Sequence, residues 1–78
     1  MAHNKRYDAI YGSYKVFVGS YPDIPISPKH PTSMNGYLRA IASGLRQLSE
    51  KQREGFFMVE GAWLLDELNR IGIEMKHE

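Results

Sequence analysis

The sequence predicts a small α+β domain, and three observations carry that prediction. Residues 7–21 are rich in Tyr, Val and Phe and hold a Gly-Ser pair near their middle. Residues 33–48 carry an apolar stripe at helical spacing. Ser49 opens a capping box ahead of a second amphipathic stretch. One domain is expected over residues 1–78, with a flexible N-terminus at 1–6 and a proline-rich connector at 22–31.

The N-terminal segment fits a β-hairpin. Tyr11-Gly12-Ser13-Tyr14 suits a two-residue turn, with Gly12 at the position that needs a positive φ. This register puts Tyr7, Ala9, Tyr11, Tyr14, Val16 and Val18 on one face and Asp8, Ile10, Lys15 and Phe17 on the other. A helical reading competes, because Tyr7, Ile10, Tyr11 and Tyr14 also fall at i, i+3, i+4 and i+7. Gly12 and Ser13 weigh against it, since both are poor interior helix residues. Val16-Phe17-Val18 reads as strand in either case.

Prolines 22, 25, 28 and 31 recur every three residues, the period of polyproline II. A groove ligand is one use of such a segment. A stiff connector that sets the entry angle of the next helix is the simpler one. Lys29 follows Pro28 directly, which departs from the common groove-ligand pattern.

The first predicted helix runs from about Ser33 to Leu48, with Thr32 or Ser33 as its cap. Met34, Tyr37, Leu38, Ile41, Leu45 and Leu48 form its apolar stripe. A second helix is expected to start at Ser49-Glu50-Lys51-Gln52 and reach about Ile71, with a weak point near Gly55 and a stop at Gly72. Ile73-Glu74-Met75-Lys76 then alternates as a short C-terminal strand would, and the hairpin is its expected partner.

Composition narrows the function. A chain without cysteine is not a disulfide scaffold. A net charge of +1 excludes an acidic nucleic-acid mimic and offers no strong field towards nucleic acid or membrane. Apolar runs are too short for a membrane span. Met1 to Tyr7 is polar and basic with no apolar run behind it, so no secretory signal is expected and the cytoplasm is the expected compartment. Charge is unevenly placed: residues 1–53 hold eight Lys/Arg and three Asp/Glu, residues 54–78 two and six. The two halves can attract each other within the fold or meet a partner of mixed charge.

Catalytic constellations are missing. The chain has no phosphate-cradling glycine loop, nucleophile elbow or paired metal-binding histidines. His3, His30 and His77 are scattered, and adjacent Asp66 and Glu67 point about 100° apart on a helix. A non-enzyme is expected, with no cofactor, no metal and no small-molecule substrate. Helix-turn-helix DNA binding fails on spacing: taking Ala40 and Gly44 as the motif's small residues puts Glu50 where a core residue belongs.

Two candidate surfaces remain. On a continuous wheel, Phe57, Leu64, Leu65, Leu68 and Ile71 form a core face with Met58 at its margin. Phe56, Val59 and Trp63 form a second apolar patch among charges. That patch can pack under the hairpin, form a homodimer seam, or dock another protein with Trp63 as anchor. The second surface is Arg39, Arg46 and Arg53, seven residues apart, which one continuous helix would align against phosphates. Glu50 in the same stripe and a turn at Ser49 weaken it. The expectation is a non-catalytic binding protein that regulates or inhibits a larger protein partner. A nucleic-acid regulator using the basic face is the alternative.

Overall fold

The computed structural model describes residues 4–75 and is entirely helical among them, with no strand. Four helices follow one another: α1 Lys5–Ser20, α2 Met34–Leu45, α3 Glu50–Glu60 and α4 Ala62–Arg70. This overturns the α+β expectation.

The predicted hairpin is helix α1. Asn4 caps it, its side-chain oxygen accepting from the Tyr7 N–H at 3.1 Å. The decisive pattern is Tyr7, Ile10, Tyr14, Phe17 and Tyr21, spaced three and four residues apart. Ile10 and Phe17 are fully enclosed and the three tyrosines half-buried. Strand propensity of Val, Tyr and Phe is a weak preference, and packing of this stripe against α2 outweighs it. Gly12 sits in the helix interior with open space around it, so it is tolerated as a helical residue rather than required as a turn. Of the expected flexible N-terminus, residues 1–3 lie outside the described residues, and Lys5 and Arg6 open α1.

The connector is not a free polyproline rod. Ile24 and Ile26 lean on the core. The Ser27 N–H donates to Ser43 Oγ at 2.9 Å, and the Gln47 side-chain amide donates to the Pro25 carbonyl at 2.6 Å. Both partners lie on or just past α2, so the segment is tied along it.

Helix α2 forms as its stripe predicts. The Ser33 hydroxyl accepts from the Gly36 N–H at 3.1 Å. Leu38, Ile41 and Leu45 are wholly enclosed, and Tyr37 nearly so. At Gly44 a side chain of α1 comes close: a Cβ there would collide with the Phe17 ring. The small residue lets the two backbones pack around that aromatic side chain.

The capping box at Ser49 is present in both directions. The Gln52 N–H donates to Ser49 Oγ at 3.1 Å, and the Ser49 N–H donates to Gln52 Oε1 at 3.0 Å. The expected second helix is two helices, broken at Gly61 rather than weakened at Gly55. Gly61 has φ 110° and ψ 158°, a conformation open in practice to glycine alone. Past α4, the Gly72 N–H donates to the Asn69 carbonyl and the Ile73 N–H to the Leu68 carbonyl. With Gly72 at φ 84°, this is a Schellman stop.

No strand follows. Residues 73–75 are irregular, and Met75 is buried in the helical core. With α1 helical there is no hairpin edge for them to join. Lys76 of the expected strand lies outside the described residues. Helix α4 packs on both α2 and α3, placing Leu64 and Leu68 beside Leu38, Ile41 and Leu45 in one core cluster.

Candidate functional site

The break at Gly61 redistributes the predicted apolar patch. Phe56 is core: its ring meets Phe17 edge-on at 5.5 Å between centroids and Phe57 at 6.1 Å. Trp63 is half-buried, and its indole N–H donates to the Glu60 carbonyl at 2.7 Å, satisfying an orphan acceptor at the end of α3. Its ring also lies against Gly61, where a Cβ would stand 2.9 Å from the indole Cδ1. Val59 is the member that faces solvent, at 79% exposure. A single wheel across Gly61 keeps Trp63 in phase with Phe56 and Val59, whereas the break puts Trp63 on α4 and leaves the other two on α3.

Beside Val59 stands Met58, at 86% exposure. Together they make α3 unusual, because Phe56 is its one fully buried residue. Val16 of α1, 41% exposed, lines a groove together with Val59. This groove of about 270 Å³ runs between α1 and α3, lined by Val16, Ser20, Tyr21, Gln52, Gly55, Phe56 and Val59. Gly55 forms part of its wall, and an added Cβ there would meet no atom within 4 Å. The groove is almost free of charge. Val16 and Met58 were missed as surface residues because 7–21 reads as strand and because Met58 sits at the edge of a mis-phased core face.

The basic stripe does not form as one face. Arg39 and Arg46 are exposed on and just past α2. Arg53 is turned inward: its Nη1 donates to the carbonyls of Leu45 and Leu48 at 3.1 and 3.2 Å. A cation at these carbonyls satisfies the C-terminal end of α2 and its negative dipole. Arg53 is thus engaged in closing the α2–α3 turn.

Two polar links tie α1 to the C-terminal half. Arg6 donates to both carboxylate oxygens of Glu67, the shortest contact being 2.8 Å from Nη2 to Oε1. Hydrogen bonding from Arg6, opposed by desolvation and helped by its charge, holds the Glu67 carboxyl below its ordinary value. The Ser13 hydroxyl, buried within α1, donates to Glu60 Oε1 at 2.7 Å. The uneven charge read from the sequence therefore includes at least one attraction within the fold.

The early tyrosines gather with Tyr37. Its ring lies 4.9 Å from that of Tyr14, 5.3 Å from Tyr11 and 5.9 Å from Tyr7. The Tyr7 and Tyr37 hydroxyls share a hydrogen bond at 3.4 Å, and either rotor can donate. That bond, then desolvation and the neighbouring phenols, push Tyr37 up to about 12. The cluster is a packed aromatic wall between α1 and α2, with Tyr11 its most exposed ring.

Among the described residues no group of three or more His, Asp or Glu could hold a metal ion. His30 is exposed, and His3 and His77 lie outside the described residues. No helix among the described residues is long and apolar enough to cross a membrane. No family model matches the chain, and no curated protein or solved structure matches it significantly.

Proposed function

We propose that this chain is a small, non-catalytic cytoplasmic binding protein that regulates or inhibits a larger protein by docking through the α1–α3 face. One observation carries the reading. Met58 and Val59 stand 86% and 79% exposed on α3, and Val59 lines an uncharged groove with Val16 on its α1 side. Large apolar side chains left in water next to a groove are characteristic of an interaction surface. Val59 is the docking residue retained from the patch seen in sequence. Phe56 supports it from beneath, and Trp63 fixes the turn that ends α3.

The test is capture by the immobilised full chain, compared with a Met58→Glu/Val59→Glu variant. Circular dichroism of both proteins checks that they fold. The reading expects a stoichiometric protein partner that wild type holds and the folded variant loses. A partner held equally by both, self-association in place of a partner, or capture of nucleic acid through Arg39 and Arg46 would each overturn it. Sedimentation and a low-salt gel shift read the last two outcomes.

A further inference from the structure

A concavity larger than the α1–α3 groove lies elsewhere. It is a half-open cleft of about 510 Å³ between the C-terminal half of α1 and the proline-rich connector. It shares only Tyr21 with the α1–α3 groove. Its size falls in the range of small-molecule sites, roughly 300–1,000 Å³. Tyr21, Ile24 and Ile26 supply an aromatic and aliphatic lining, with Tyr14 and the enclosed Phe17 also bordering the cleft.

The cleft is held in shape before anything enters it. The connector is pinned by the Ser27 N–H to Ser43 Oγ and by the Gln47 amide to the Pro25 carbonyl. Pro22 and Pro25 stiffen the same wall. A pre-formed apolar cleft avoids the ordering cost that weakens binding to flexible loops.

Three charged or titratable side chains line it: Asp23, Lys29 and His30. All three are exposed, and none forms an ion pair among the described residues. Lys29 and Asp23 therefore do not neutralise each other in direct contact. Lys29, His30 and the hydroxyls of Tyr14 and Tyr21 can all donate hydrogen bonds, whereas Asp23 is the one carboxylate. Donors outnumber fixed anions around an apolar lining.

We propose that this cleft binds a small carboxylate with an aromatic or branched-aliphatic body. The body lies on Tyr21, Ile24 and Ile26. The carboxylate meets Lys29, with His30 and the tyrosine hydroxyls as further donors. Asp23 disfavours an approach in which the carboxylate points towards it.

The test is a nuclear magnetic resonance titration of the isotopically labelled full chain with three probes of one shape. These are phenylacetate, its neutral amide, and the 2-phenylethylammonium cation. The proposal expects saturable shifts for phenylacetate at the amides of Tyr21, Ile24, Ile26 and Lys29. It expects phenylacetate to bind about two- to fivefold more tightly than the amide, as befits an exposed charge pair. Lys29→Glu, at an exposed position, should remove that preference and leave the amide's affinity unchanged. Val18→Trp, at the exposed edge of the cleft, should weaken phenylacetate and amide alike. Equal binding of the three probes, tighter binding of the cation, shifts outside the cleft, or no saturable shift overturns the proposal.

Discussion

Helices α2 and α3 are of similar length and do opposite things. Seven of the twelve residues of α2 are buried, against one of the eleven in α3. The first is the beam on which α1, α4 and the proline-rich connector all lean. The second is held by Phe56 beneath it, by its capping box and by the turn at Gly61, while Met58 and Val59 point outward. A short helix that spends its apolar residues on the surface is poor economy for folding alone. The contrast places most of the buried core in one helix and the exposed apolar face of the proposed docking surface in the other.

The contrast can be broken most forcefully in α2. Ile41→Ala, at a wholly enclosed site, should cost about 2–5 kcal/mol by denaturant unfolding. Gly44→Ala should cost about 1–3 kcal/mol, because the new methyl occupies space held by the Phe17 ring. Adding Phe17→Leu to Gly44→Ala should restore less than a cavity-free exchange would, since Phe17 also packs on Phe56. A small effect of Ile41→Ala would remove α2 from its central place.

Alkali probes the α1–α2 seam. A phenol raised in the folded state binds its proton more tightly there than when unfolded. Its contribution is therefore fully present below the ordinary value of 10.0 and is lost as pH rises towards about 12. Unfolding midpoints should fall over that window, and Tyr37→Phe should flatten the fall. The phenolate absorbance should rise last for one tyrosine. At the acid end the sign reverses. Glu67 is lowered by Arg6, so its contribution is present above its ordinary value of 4.5 and lost as pH falls through the lowered one. Glu67→Gln should remove that acid dependence with only a small change in stability near neutrality.

Smaller effects are expected in α3. Gly55→Ala should stabilise the free chain by about 0.5–1 kcal/mol, because the added methyl meets nothing and a helix interior disfavours glycine. If a partner's backbone seats in the groove, the same change weakens docking while it strengthens the fold.

Legibility in the sequence followed how local each signal was. The stripe from Met34 to Leu45, the Ser49–Gln52 box and the Gly72 stop were readable because neighbouring residues alone specify them. Helix α1 was not, since its Tyr, Val and Phe favour strand locally and its stripe becomes clear only when carried through Phe17 to Tyr21. The α3–α4 break depends on one glycine's positive φ, which a wheel cannot display. The docking candidate was partly legible: Val59 was visible as an apolar residue among charges. Met58 and Val16 needed the true helix phases. Arg53 read as a surface charge because its acceptors, the Leu45 and Leu48 carbonyls, come from the preceding turn.

The division of labour between the two helices rests on one claim: the outer face of α3 contributes nothing essential to folding. Denaturant unfolding of Met58→Glu/Val59→Glu beside wild type tests it directly. The prediction is a stability within about 0.5 kcal/mol of wild type, the usual span for surface substitutions. A loss of about 3 kcal/mol or more would make this face part of the core and contradict the account.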